Sequence, residues 1–196
     1  MQILHPFSGS VEQYLEQLSD PDQYRPAGCP QCQAKQPLTA HGFYTRTLAD
    51  LAFDGLLRVR RYLCQFCRRT VSLLPEFTLP YLRFSITVIA LWLLARLRPL
   101  APGQAAPTST PYQRGQFWRR RFRACAPALC AALSILVAPA PAPDFPHRAR
   151  AMLEAVGWIR AHRFLFGHLR QHLLGWPPSL APSGRRVALR ADAAPA

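Results

Sequence analysis

The sequence predicts an α+β protein: a small β unit held by cysteines, followed by a helical region that resembles a helix-turn-helix in outline. Three observations predict it. Two Cys-x-x-Cys knuckles, Cys29 with Cys32 and Cys64 with Cys67, enclose two segments of strand character. Beyond Pro80 the apolar positions change from alternation to helical spacing. Prolines and glycines punctuate the chain at the places where one element gives way to the next.

The first segment, 1–28, carries a helix over 11–18. Ser10 caps it, Gln13 completes a capping box, and Val11, Tyr14, Leu15 and Leu18 share one face. "DPDQYRPAG" then ends it. The unit 29–80 opens on the "CPQC" knuckle. Strands follow over 40–48 and 56–64 with a turn at Asp54-Gly55, and a third strand over 69–75 is closed off by Pro75 and Pro80.

In 81–137 the first helix spans 83–98. Ile86, Val88, Ile89, Leu91, Trp92, Leu93 and Leu97 make it apolar almost all round, as a buried helix must be. A short helix near 101–107 and a turn lead to a third helix. Thr110 is its N-cap, Pro111 its first residue and Gln113 its capping-box partner. Trp118, Phe122, Cys125 and Leu129 form its core stripe, and Pro127 kinks it or opens another helix. A Pro/Ala linker, 138–146, precedes one or two amphipathic helices in 147–176. The residues 177–196 read as a disordered tail. No internal repeat is visible.

The knuckles admit three readings: a metal site, a redox pair or buried thiols. A redox pair needs one motif in a βαβ setting, and this chain has two motifs around a hairpin. Two tight turns brought together by two strands supply four thiolates, the set that zinc takes in structural sites. The metal ligands are therefore Cys29, Cys32, Cys64 and Cys67, with structural Zn(2+) as the cofactor. Four sulfur ligands leave no position open for a reacting water. His41 between the knuckles is a lesser candidate ligand. Cys125 and Cys130, five apart on a helix, read as small core residues.

Charge points to the partner. The chain carries 24 basic and 10 acidic residues, net +14, and only Lys35 among the basic residues is not arginine. Residues 1–54 are net −3, whereas 55–123 hold thirteen arginines against Glu76 alone. A GC-rich genome accounts for arginine over lysine, but not for scarce acids. Such a block calls for a polyanion, most often nucleic acid and less often an anionic membrane surface. The candidate contacts are Arg58, Arg60, Arg61, Arg68 and Arg69 on the β unit, and Gln113, Arg114, Gln116, Arg119, Arg120 and Arg123 on the third helix. The bland alternative for "WRRRFR" is a solvated helix face. The apolar run 86–95 is too short to span a bilayer, and the N-terminus has no signal-peptide pattern, so the expectation is a cytoplasmic protein without a membrane partner.

"CPQC", "HGFYTRTL", "RYLCQFCRRTVSLLP" and "WRRRFRA" together resemble the zinc-ribbon plus helix-turn-helix front end of bacterial insertion-sequence transposases. They resemble more closely a family of short, stand-alone bacterial zinc-ribbon proteins known only as a domain of unknown function. The resemblance covers about residues 10–135. It implies that the four knuckle cysteines bind zinc and that ribbon and helices bind double-stranded DNA at the ends of a mobile element. No single DNA-reading residue carries over, because the Pro-rich turn departs from the pattern.

An enzyme is not expected. A transposase core needs three carboxylates around two metal ions. After residue 135 about 60 residues remain, with Asp144, Glu154 and Asp192 as their acids. His162, His168 and His172 suggest a second metal site less readily than a basic helix with exposed histidines. The other functional class is a protein-interaction module, with Trp158, Phe164, Phe166 and Trp176 of the C-terminal helices meeting a protein partner or a second copy in a homodimer.

Overall fold

The computed structural model describes residues 1–7, 9–17, 22–97 and 112–175. Four strands, β1 (Gln2–His5), β2 (Leu38–Ala49), β3 (Asp54–Cys64) and β4 (Thr70–Pro75), form one sheet in the order β1-β4-β3-β2. β2, β3 and β4 pair antiparallel and sit where the strand pattern places them; β1 runs parallel to β4. β1 is not foreshadowed by the sequence, because four residues without flanking turn signals carry no period. Its partner lies about seventy positions away, with Gln2 opposite Ser72.

The hairpin turn differs from expectation. Ala49 still pairs with Asp54, so Asp54 and Gly55 open β3. The reversal falls at residues 50–53, where the Asp50 N–H donates to the Phe53 carbonyl at 2.6 Å. A bulge shifts the β2 register between Ala40 and Phe43, and Gly42 occupies it at φ +78°, a conformation glycine adopts without penalty.

Alternation sends side chains to two faces. Leu48, Leu57, Val59 and Leu74 pack with Phe77 against α1 (Val11–Gln17). On the other face Tyr62, Val71 and Leu73 pack with Cys29 and Cys64. The capping box of α1 forms as expected. The Ser10 N–H donates to Gln13 Oε1 at 2.8 Å, and the Gln13 N–H donates to Ser10 Oγ at 3.2 Å.

The second half holds α2 (Ile86–Leu97), α3 (Tyr112–Leu133), α4 (Phe145–Val156) and α5 (Trp158–Leu169). α2 starts later than its apolar pattern suggests because Ser85 caps it, its Oγ accepting from the Val88 N–H at 3.1 Å. α3 is one helix through Pro127, which lies on the exposed side. Trp118, Phe122, Ala126, Leu129 and Leu133 are its buried stripe, while Cys125 at its edge is half-buried. Gly115 lets α3 approach α2 closely: a Cβ there would overlap the Trp92 indole.

Residues 138–146 are not a free spacer. Val137 and Ala140 pack on the helical core, and the Ala140 carbonyl accepts from Arg148 Nε at 3.2 Å. Asp144 caps α4 by accepting from the His147 N–H at 2.9 Å, so that helix begins before residue 147, with Pro146 in its first turn. One apolar cluster takes in residues from α2, α3, α4 and α5.

Glu76 ties the sheet to the helices. Its carboxylate, 1 % exposed, accepts two 2.6 Å hydrogen bonds from the Arg163 guanidinium of α5 and a third, at 3.1 Å, from the Phe7 N–H. The expected helix near 101–107, the Thr110 cap, Trp176 and the tail 177–196 lie outside the described residues.

Candidate metal centre and its basic surroundings

The two knuckles are built alike. In the first, the Gln33 N–H donates to the Cys29 carbonyl and the Cys29 N–H to the Ala34 carbonyl. In the second, the Arg68 N–H donates to the Cys64 carbonyl and the Cys64 N–H to the Arg69 carbonyl. The residue after each second cysteine, Gln33 at φ 60° and Arg68 at φ 55°, takes the left-handed conformation that lets the chain turn back. Two such turns leave four sulfurs pointing inward from the end of the β2–β3 hairpin.

Those sulfurs all lie within 4.8 Å of one another. Cys29 Sγ stands 3.7 Å from Cys67 Sγ, and Cys32 Sγ 3.6 Å from Cys64 Sγ. A tetrahedron with metal–sulfur bonds of about 2.3 Å has edges of about 3.8 Å. The donor set therefore fits one tetrahedral ion of the sulfur-binding class. His41 is exposed on β2 and is not part of the cluster.

The local electrostatics favour ionised sulfur at one position. Burial works to raise the Cys64 thiol, but the backbone N–H groups of Cys67 and Phe66 outweigh it and bring it down to about 7. At Cys67 the Arg69 N–H works downward, yet burial and the hydrogen bonds shared with Cys64, Cys29 and Cys32 hold it up at about 11. Four thiolate ligands this close would repel one another, and a dication between them would offset that repulsion. The Met1 amine, donating to the Thr70 carbonyl at 2.9 Å, has its pKa lowered by burial and then by Arg69 and Arg61.

The basic residues singled out in the sequence fall into distinct settings. Arg68 and Arg69 are exposed on the second knuckle beside Phe66, which is 74 % exposed. Arg61 is half-buried. Arg58 is exposed, its guanidinium 4.3 Å from the Phe43 ring centroid. Arg60 departs from the outward placement expected of it: it is 8 % exposed and pairs with Asp22 at 2.7 Å. The reason is register, since Arg60 stands opposite Phe43 next to the bulge, over Tyr62 and within reach of Asp22.

On α3, Arg114, Arg120 and Arg123 are exposed, and Gln116 and Arg119 are half-buried. Gln113 lies in its first turn. Arg121 turns back to the carbonyls of Leu174 and Gly175. α2 and α3 pack together as a helix pair, with Trp92 and Trp118 edge to face at 5.8 Å. The turn of the proposed helix-turn-helix, residues 98–111, lies outside the described residues.

The histidines correct an expectation. His162 and His172 are buried, not exposed, and lie 3.2 Å apart, Nε2 to Nδ1; His162 Nδ1 is 3.2 Å from the Glu76 carbonyl. The carbonyl can only accept, so His162 carries its proton on Nδ1 and receives the His172 N–H on Nε2. This chain of neutral rings fastens α5 and the segment after it to the sheet. His168 is exposed against Phe164, and among the described residues the four cysteines are the one cluster of metal-binding composition.

A family described as Domain of unknown function (DUF6431) matches residues 29–106, under half of the chain. The match begins at the first knuckle cysteine and takes in all four cysteines of the cluster. No curated protein and no solved structure matches the chain. The resemblance to transposase front ends has no counterpart among these findings.

Sequence reasoning passed over Arg46, Tyr81, Arg83 and Phe66. Arg46 lies on the half-buried side of β2, and Arg83 sits in the short connection before α2. Tyr81 and Phe66 are isolated aromatics outside any periodic pattern. The "YLRF" stretch directly before the Ser85 cap was the available signal for two of them.

Proposed function

We propose that the protein is a non-enzymatic nucleic-acid-binding module in which a structural zinc ion, held by Cys29, Cys32, Cys64 and Cys67, fixes a basic sheet against a basic helix pair, with duplex DNA as its ligand. The observation that carries this reading is how the charge is left unneutralised. Glu76, the lone acid in 55–123, is consumed by Arg163 from outside that block. Asp22 and Asp54 pair with Arg60 and Arg83. No described carboxylate makes an ion pair with Arg58, Arg61, Arg68, Arg69, Arg114, Arg119, Arg120 or Arg123. Guanidiniums without an acidic partner are what a phosphate backbone neutralises.

Zinc is supported over other ions by the all-sulfur tetrahedron. The same set leaves no open coordination site, which supports a structural role for the metal. Asp144 and Glu154 serve as a helix cap and in an ion pair with Arg150, and so give no support to a nuclease site. A transposase-related origin rests on the resemblance of the knuckles and the arginine-rich helix alone. The protein-partner reading is weakened because Phe166 is buried and Trp158 and Phe164 pack against the helical core. No helix among the described residues is long and apolar enough to cross a membrane.

The test is fluorescence anisotropy of the zinc-loaded chain with a random-sequence duplex across a salt series. Counterion release from about five phosphate contacts gives a slope of about −4.5 in log K against log salt. A flat dependence overturns the reading.

A further inference from the structure

In the cleft between the sheet and the helix pair, three arginines from three different segments meet. Arg46 of β2, Arg83 of the connection before α2 and Arg114 from the first turns of α3 line a cavity of about 500 Å³, with Tyr44, Tyr81 and Gln2 among its other lining residues. It continues past Tyr81 and Arg114 into a second hollow of about 330 Å³ that reaches Phe84 and Phe117. Arg46 is set in place by donating to the Leu79 and Leu82 carbonyls. Arg114 lies over the Phe84 ring at 5.7 Å. The one described carboxylate at the cleft is Asp54, which holds Arg83 and is itself largely exposed.

Tyr81 stands at the mouth, 84 % exposed, at φ +61°. For a bulky residue that backbone conformation is strained, and strain of this kind gathers at ligand sites. It presents an aromatic ring beside three cations. A concave cleft with a ring at its lip and guanidiniums within is shaped for one flat base and its phosphate, not for the convex surface of a double helix.

We propose that this cleft seats one unpaired nucleotide of a bound strand, its phosphate held by Arg114 and Arg46 and its base stacked on Tyr81. The proposal rests on the nucleic-acid reading above and deepens it. It assigns the cleft a preference for distorted or single-stranded positions within a duplex.

The experiment uses the full zinc-loaded chain and two probes, a blunt duplex and the same duplex with one central unpaired nucleotide. Stacking one base on an aromatic ring supplies a preference of about fivefold or more for the second probe. Tyr81→Gly removes the ring while glycine accepts φ +61° without strain, so the fold is kept. That variant is expected to lose the preference and keep both the blunt-duplex affinity and its salt slope, and Tyr81→Phe is expected to retain all three. Equal binding of the two probes, or a preference that survives Tyr81→Gly, overturns this inference alone. Failure to bind either probe at low salt overturns it together with the nucleic-acid reading. Free thymidine monophosphate that erases the preference at micromolar concentration would assign the cleft to a soluble nucleotide and overturn the strand-bound form.

Discussion

The bond between Glu76 and Arg163 makes a prediction whose sign depends on which partner is buried. The carboxylate is 1 % exposed, whereas half of the Arg163 side chain is in water. Arg163→Met leaves a desolvated carboxylate with only the Phe7 N–H, and stranding a buried charge costs about 3–5 kcal/mol. Glu76→Gln removes the buried charge, keeps the shape and one acceptor oxygen, and releases Arg163 to solvent. It strands no charge, but its buried NH2 faces the Arg163 donors, so its cost is about 1–3 kcal/mol, below that of the stranded carboxylate. The double variant should cost little more than Glu76→Gln alone, because the two changes share one interaction. Urea denaturation followed by tryptophan fluorescence measures all three as midpoint shifts at constant slope. If Arg163→Met costs no more than Glu76→Gln, or the two costs simply add, this account of how sheet and helices are joined is wrong.

Metal removal should act first on the sheet end. Stripping the metal with a chelator is expected to expose four further reactive thiols and to raise amide exchange around residues 29–38 and 62–71, where Cys29, Leu38, Tyr62, Cys64 and Val71 share a core. Unchanged thiol reactivity would count against the site. Stability should also fall from pH 6.5 towards pH 4. Burial lowers His162 to about 4 and His172, with a further push from His162, to about 3. The unfolded chain therefore takes up protons in that window that the folded chain does not, at about 1.4 kcal/mol per unit of difference. Urea midpoints at pH 7 and pH 5 check this, and His162→Gln with His172→Gln should flatten the difference. Gly115→Ala is expected to destabilise by about 1–2 kcal/mol despite alanine's better helix propensity, because its Cβ displaces Trp92. A thermal midpoint at or above that of the parent chain would contradict the close packing of α2 on α3.

The parts of this structure legible in the sequence are those fixed by local chemistry. The capping box at Ser10 and Gln13, the knuckles at Cys29 and Cys64, the three long strands and the stripe from Trp118 to Leu129 all follow from spacing alone. What escaped depends on distant pairing. β1 exists because β4 offers it an edge. The hairpin turn moved to residues 50–53 because Ala49 and Asp54 still pair. The 138–146 segment read as a linker from its prolines, yet Asp144 starts a helix and Ala140 packs on the core. Arg60 read as a surface cation until Asp22 came within reach of it. His162 and His172 were placed on a solvated face because nothing local shows that the Glu76 carbonyl waits opposite. In the site, the cysteines were legible because metal chemistry restricts their spacing. The cleft of Arg46, Arg83 and Arg114 was not, because its three arginines come from separate segments.

Whether Cys29, Cys32, Cys64 and Cys67 hold zinc is decided by X-ray absorption at the zinc edge of the purified chain. One spectrum reports both the metal and its ligands. The expected spectrum is zinc bound by four sulfurs at about 2.3 Å, with Cys64→Ser losing that shell. A zinc shell containing nitrogen or oxygen in place of sulfur, or a folded chain that carries no zinc, would contradict it.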